Sequence, residues 1–252
     1  MSNNVIARRV FFPTTATLAH ALRRAAASAG ERPCGKQSPA KERAFEVLKS
    51  IGQRAIASLA RNDRFIVKGQ MKIASLSRDD SHLIEQVAQL LVDAFREHWP
   101  DAWPTLDEAL KEVHEMLESE RICRIALDEQ GHLLGIIGGI PGYDGKVWEL
   151  HPLAIQPSQQ GKGIGATLVD DFEEQVRLKG GLTITLGSDD EDNMTSLSDV
   201  DLYENLWEKI RDIRNLKKHP FEFYQKMGYV ITGVVPDANG RGKPDILMGK
   251  KI

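Results

Sequence analysis

The stretch "WELHPLAIQPSQQGKGIG", residues 148–165, decides the fold. It sets an aromatic, an acid and a histidine within four residues, then two prolines, then three glycines within five. A regular strand avoids proline and a regular helix avoids glycine, so the segment reads as a broken strand running into a tight turn. Side chains alternate along a strand, which places Glu149, His151 and Leu153 on one face and Trp148, Leu150 and Ala154 on the other. Pro152 has no N–H to give a ladder, so it implies a bulge or a point where two neighbouring strands part. Parted strands leave N–H groups free for a ligand carbonyl, and the expectation is a cleft. The glycines of "QQGKGIG" then enter a helix, where successive N–H groups and the positive end of the dipole form an anion cradle and Lys162 adds a point charge. No Lys-Ser/Thr pair closes the turn, and it does not open a dinucleotide-binding unit. Taken alone, it also fits a strand-to-helix connection with no ligand.

Outward from this stretch the punctuation is regular. Upstream, "RICRIALD", "GHLLGIIGGI" and "KVWELHPLAIQ" are strand-like runs separated by "EQG" and "PGYDG", which have the composition of hairpin turns. Before them, "HLIEQVAQLLVDAFREHW" and "TLDEALKEVHEMLES" carry apolar residues at helical spacing, the second with Thr105 as N-cap and acids in its first turn. Downstream, "IGATLVDDFEEQVRLKGG" is a helix closed by Lys179 and a Gly pair, and "LTITLG" is a β-branched strand. Residues 189–219 form an acid-rich connection with a helical middle, "PFEFYQKMGYVITGVVPD" is a short helix and a strand, and "PDILMGKKI" is a last strand. The order from Met71, which opens "MKIASL", is β-α-α-β-β-β-α-β-α-β-β. That is one mixed sheet with helices on its faces, not a series of βαβ units.

The chain has 252 residues and a net charge of −3, and that average conceals a division. Residues 1–70 hold 13 Lys+Arg and 4 Asp+Glu, a surplus of +9, while the rest hold 20 and 32, a surplus of −12. A domain boundary is expected at Gly69–Met71, with 1–70 a basic extension and 71–252 the folded domain. Residues 1–40 lack periodicity and are Arg-rich and acid-poor, a composition shared with transit peptides. Phe45, Leu48, Ile51, Ile56 and Leu59 predict an amphipathic helix over 41–62. No apolar run approaches the roughly 18 residues of a membrane helix. Cys34 and Cys123 make neither a metal spacing nor a disulfide framework, and a reducing cytoplasm is the simple location.

Gln160-x-x-Gly163-x-Gly165 after a proline-broken strand, with "FYQKMGY" some sixty residues on, resembles the GNAT superfamily of acyl-coenzyme A transferases over residues 71–252. Within it, "WELHPL", "LGSDDED", "LSDVDLYE", "NLKKHPFEFYQKMGYVITGVVPDANG" and "KPDILM" look like the bacterial aminoglycoside 6′-N-acetyltransferases. The resemblance implies an α/β (α+β) fold: a mixed, mostly antiparallel sheet with splayed central strands and flanking helices. It implies acetyl-coenzyme A as co-substrate, no metal, an aminoglycoside acceptor and a homodimer. The coenzyme would lie on Leu153, Ala154, Ile155, Gln160, Gly161, Lys162, Gly163, Ile164, Gly165 and Ala166. Glu149 would hold or deprotonate the amine, His151 would position water or orient the site, the Leu153 N–H would polarise the thioester carbonyl, and Tyr224 would protonate the departing thiolate. The family often has an Asn about seven residues before that tyrosine; here the position is Lys217, the nearest Asn is Asn215, and that contact is left unassigned.

Each residue also has a plain reading. Glu149 alone is a solvated strand carboxylate, His151 a satisfied strand histidine, and Tyr224 half-buried core. Tyr229 is read as packing. "DDED" at 189–192 is ordinarily a solvated loop, yet in a body of −12 Asp189 and Asp192 could concentrate a polycation. Trp99, Trp103 and Tyr143 could wall a sugar ring, and the two tryptophans fit a core equally well. The alternatives are a GNAT enzyme for a polyamine or protein amine, and a non-catalytic coenzyme-binding module whose basic arm meets nucleic acid. The Glu149/Tyr224 pair and the acidic body count against the last.

Overall fold

The computed structural model describes residues 71–252 together with the backbone of a strand at Arg64–Ile66. The helix expected over 41–62 and the rest of the basic extension lie outside the described residues. The elements run β1 (Arg64–Ile66), β2 (Met71–Ser75), α1 (Ser81–Phe95), α2 (Leu106–Met116), β3 (Ile122–Asp128), β4 (Leu133–Gly142), β5 (Val147–Ile155), α3 (Ile164–Leu178), β6 (Thr183–Asp189), α4 (Leu206–Arg211), α5 (Phe221–Lys226), β7 (Val230–Val235) and β8 (Asp245–Lys251). From Met71 this is the order read from the sequence with one helix more: α4 is a separate helix in the acid-rich connection, where a helical middle is expected. One sheet joins all eight strands, β1-β2-β3-β4-β5-β6-β8-β7, and only β5–β6 is parallel. The compact unit that contains the sheet runs from Asp63, so β1, upstream of Met71, belongs to it.

The helix ends follow their local chemistry. The Asp80 carboxylate caps α1 by accepting from the Leu83 N–H at 3.0 Å, and the Thr105 hydroxyl caps α2 through the Glu108 N–H at 3.3 Å. Helix α3 stops at Lys179, where Gly180 turns with φ +79° and the Gly181 N–H bonds the Val176 carbonyl at 3.0 Å.

The sheet has an apolar layer on each face. Trp148, Leu150, Ile184, Leu186, Ile246 and Met248 pack against Leu168, Phe172 and Val176 of α3. Ile125, Ile136 and Ala154 pack against Val87, Leu91, Val113 and Met116 of α1 and α2. A buried ion pair ties the sheet to α3: the Arg124 guanidinium of β3 donates to both oxygens of Asp171 on α3, at 2.7 and 3.1 Å, with Arg124 also donating to the Ser75 hydroxyl. Both side chains are almost wholly buried, which is tolerable only because the charges are paired and hydrogen-bonded. Among the described residues no helix is long and apolar enough to cross a membrane, and no group of three or more His, Cys, Asp or Glu could hold a metal ion.

Candidate active site

Strand β5 is where the sheet opens. Its pairing with β6 covers only Val147, Trp148 and Glu149, opposite Thr183, Ile184 and Thr185. Beyond Glu149 the β6 side of β5 has no partner in the sheet, so N–H groups on that edge are left without ladder acceptors. On the other side β5 stays with β4, but Ile137 faces Leu153 while Gly139 faces Leu150. One β4 residue, Gly138, thus spans two on β5, His151 and Pro152, whose peptide bond is cis. Pro152 therefore marks both a bulge and a parting of strands, the two outcomes its missing donor implied.

The bulge corrects one expectation. An extra residue reverses the alternation, so side chains past it change face. Glu149 and His151 lie on the α1/α2 face of the sheet, whereas Leu153 and Ile155 pack with the α3 layer and Ala154 with the α1/α2 layer. Leu153 does not share the face of Glu149. A count of two per residue pair assumes that no residue is inserted, and here one is. Gly138 permits the bulge by close approach: a Cβ there would sit 2.3 Å from the His151 carbonyl oxygen.

Helices α1 and α2 and the loop between them furnish the surroundings of Glu149 and His151. Trp103 lies 5.9 Å from the His151 ring and packs edge-on to Phe95 at 4.7 Å. Glu112 of α2 approaches the His151 Nε2 at 3.8 Å. Trp99, 5.7 Å from Phe95, donates its indole N–H to the Asp189 carbonyl at 3.1 Å. Both tryptophans are half-buried, so the core and site readings meet: they pack inward and border the acidic loop. Tyr143 is different, 64 % exposed on the turn that leads into β5.

The acids of residues 189–192 divide their roles. Asp190 is fully buried and accepts from the Met194 and Thr195 N–H groups at 2.6 and 2.8 Å and from the Ser198 hydroxyl, so it shapes the loop. The Asp189 carboxylate, half-buried, accepts from the Asn239 amide. Asp192 meets His98 Nδ1 at 2.8 Å, and its carbonyl accepts from Lys217. The Glu191 carboxyl is raised from its ordinary value by burial and by Asp189. His219 holds the loop from below: its Nδ1 accepts from the Phe221 N–H, so its Nε2 donates to the Asp189 carbonyl. That pattern needs a neutral ring, and burial lowers its pKa accordingly. Asn215 is engaged by the loop itself, its amide bonding both the N–H and the carbonyl of His219.

On the α3 side, Gln160, Gly161, Lys162 and Gly163 are exposed. Gly161 and Gly163 have φ +75° and +84°, and a Cβ at either would meet nothing within 4 Å. No side chain caps α3, so the N–H groups of its first turn, at Ile164, Gly165 and Ala166, keep no intrahelical acceptor. Lys162 donates to the Gln159 side chain at 2.8 Å. This open backbone fits an anionic group. Tyr224 is brought to the same region: its neighbour Phe223 lies 3.5 Å from where a Gly165 Cβ would be. Tyr224 is buried beside Tyr229, with ring centroids 5.8 Å apart, and burial pushes its hydroxyl pKa up, so the phenol holds its proton. Burial also pushes the Cys123 thiol up to about 12, which leaves it almost no nucleophilic thiolate at neutral pH.

A carboxylate beside the opening of a strand on one side, and an exposed glycine turn at an uncapped helix N-terminus near a buried phenol on the other, fit a class: enzymes that deliver an acyl group from a coenzyme thioester to an amine. Residues 84–206 match the acetyltransferase (GNAT) family model. An aminoglycoside 6′-N-acetyltransferase solved with coenzyme A is 44 % identical, with TM-score 0.66, over 71 % of this chain and 96 % of that chain. The aminoglycoside 6′-N-acetyltransferase from Enterococcus faecium is 43 % identical, with TM-score 0.65 over the same shares. An aminoglycoside 6′-acetyltransferase type Ii is 37 % identical over those shares, with TM-score 0.54. No curated protein sequence matches. The chain belongs to the GNAT acetyltransferase family.

Sequence reasoning did not mark Glu112, His98, Asn239 and Asp245 as site residues. Asn239 and Asp245 lie in stretches that carry the family resemblance, but all four reach the site only through tertiary packing.

Proposed function

We propose that this enzyme is an aminoglycoside 6′-N-acetyltransferase, moving acetyl from acetyl-coenzyme A to an aminoglycoside amine by direct attack and so inactivating the antibiotic. The observation that carries the reading is the position of Glu149: on the α1/α2 face, at the last paired residue before β5 and β6 part, on the side where Trp99, Trp103 and Asp189 gather. A polycationic sugar needs acids and aromatic walls, and that face supplies both.

Acetyl-coenzyme A supplies an acyl group activated as a thioester. Gly161, Gly163 and the first turn of α3 would hold its phosphates by backbone N–H groups, with Lys162 adding charge. An ammonium has no lone pair, so Glu149 takes its proton, directly or through a water beside His151. The Leu153 N–H, next to the bulge, is offered to the oxygen on which charge develops. Tyr224, kept protonated by burial, gives its proton to the departing sulfur. With Cys123 inert, no acyl-enzyme is required. The reading extends to a homodimer in the cytoplasm and to a basic N-terminal extension separable from the catalytic unit, with the cut moved upstream from the expected 70/71 to before Asp63, because β1 pairs with β2. The change of charge between the N-terminal segment and the rest supports the division.

Thiol release from acetyl-coenzyme A tests the reading. Kanamycin should drive release far above the background with buffer, spermidine or a lysine peptide. Release driven equally by spermidine or peptide would move the enzyme to another acceptor class, and none with any amine would leave a coenzyme-binding module.

A further inference from the structure

We propose that Asp245 is a specificity-determining residue of the acceptor pocket, forming with Glu149 and Asp189 a three-carboxyl face that is electrostatically complete only when a polycation lies on it. The inference rests on the aminoglycoside reading and adds a residue to it.

The register places these groups together. Glu149 pairs with Thr185, Asp189 pairs with Asp245, and residues two apart on β6 share a face. Glu149, Thr185, Gly187, Asp189 and Asp245 therefore line one face, the α1/α2 side, and the exposure of Gly187 shows that it is open there. Gly187 is what lets Asp245 occupy it. A Cβ on Gly187 would lie 2.6 and 2.8 Å from the two Asp245 carboxyl oxygens, so the carboxyl rests in the space a side chain would fill. The Asp245 Oδ1 is fully buried and has no hydrogen-bond partner.

A carboxyl so placed carries a cost. The charged groups acting on it are Asp189 from β6 and Glu149 from β5, both negative, and the Ser188 N–H is the one donor that offsets them. The register partner on β7, Val235, brings no charge. His219 is neutral and spends its Nε2–H on the Asp189 carbonyl, Asn239 spends its amide on the Asp189 carboxylate, and Lys243 acts on Glu191. Burial first, then Asp189, raise the Asp245 carboxyl to about 7. An arriving ammonium array reverses that field. Asp245 then gives its proton to the buffer, and its negative charge strengthens the hold on the acceptor. A less charged acceptor gains less, which is how the residue discriminates.

The test uses the full chain with kanamycin. Calorimetry at pH 7 in two buffers of different ionisation enthalpy counts protons released on kanamycin binding, and steady-state rates give the constants. Wild type should release a fraction of a proton. Asp245→Asn should lose that release and raise the kanamycin KM by about tenfold, as expected for loss of one partly buried charge pair, with acetyl-coenzyme A KM unchanged. Gly187→Ala, which pushes the carboxyl out of its place, should do the same and serves if Asp245→Asn does not fold. A purely structural Asp245 would shift melting temperature but leave the proton count as in wild type, and that count, or an unchanged kanamycin KM, would overturn the proposal. A wild type that releases no thiol with kanamycin fails the aminoglycoside reading itself, a separate outcome.

Discussion

Replacing Gly138 by alanine tests whether the β5 bulge is what makes the site. The new methyl would lie 2.3 Å from the His151 carbonyl oxygen, 3.1 Å from its carbon, and 2.6 Å from Met116 Cε. The methionine terminus can swing aside; a backbone carbonyl in a paired strand cannot. Ordinary contact begins at 3.4 Å, so β5 must retreat by about 1 Å at the residue between Glu149 and Leu153. Overpacking of this size costs about 1–3 kcal/mol of stability. Catalysis should suffer more, because a displacement of about 1 Å can cost on the order of 10²-fold in rate. The assay is kcat by thiol release on folded protein, with melting temperature measured alongside. Gly139→Ala is the control. Its methyl would meet the Phe172 ring at 2.3 and 2.7 Å on the opposite face, so stability should fall while kcat stays close to wild type. A folded Gly138→Ala variant with wild-type kcat would refute the claim that the bulge geometry sets the site.

Tyr224→Phe should lower kcat by about 10²–10⁴-fold, the usual range for acid–base assistance, while acetyl-coenzyme A binding measured by calorimetry is retained. Converting Asp189 and Asp192 together to Asn should raise the aminoglycoside KM several-fold, since partly exposed charge pairs contribute about 0.2–1 kcal/mol each. Added salt should then weaken wild type more than the double variant, as measured by KM from low to high ionic strength. Asp171→Ala removes the counter-charge of the buried Arg124 guanidinium and should cost about 3–5 kcal/mol in denaturant unfolding.

Much of this architecture was legible because its signals are local. Thr105 capped a helix, Gly180 ended one, and Pro152 had to break a ladder; each acts within a few residues, and each did as its chemistry required. The family resemblance rested on the same kind of local pattern. The changed face of Leu153 was not legible, because period-two counting cannot see an inserted residue until the partner strand is known. Nor could the sequence rank the acids of "DDED". Asp190, buried in the loop, and Asp189 and Asp192, at its margin, are one residue type in one run, and only the fold separates them. The site positions of Glu112 and of Asp245, which lies in the quoted "KPDILM", were not legible for a related reason: the first arrives when α2 packs over β5, the second when Gly187 clears room across a strand.

Transfer to the 6′-amine of an aminoglycoside is isolated by one pair of substrates. Neomycin and paromomycin share a scaffold and differ at that position, an amine in one and a hydroxyl in the other. Acetyl transfer should be measured for both at matched concentration, with the product's acetyl position read by NMR. Neomycin should be acetylated on its 6′-nitrogen and paromomycin turned over at background. Equal turnover of the two, or an acetyl group on another nitrogen of neomycin, would contradict it.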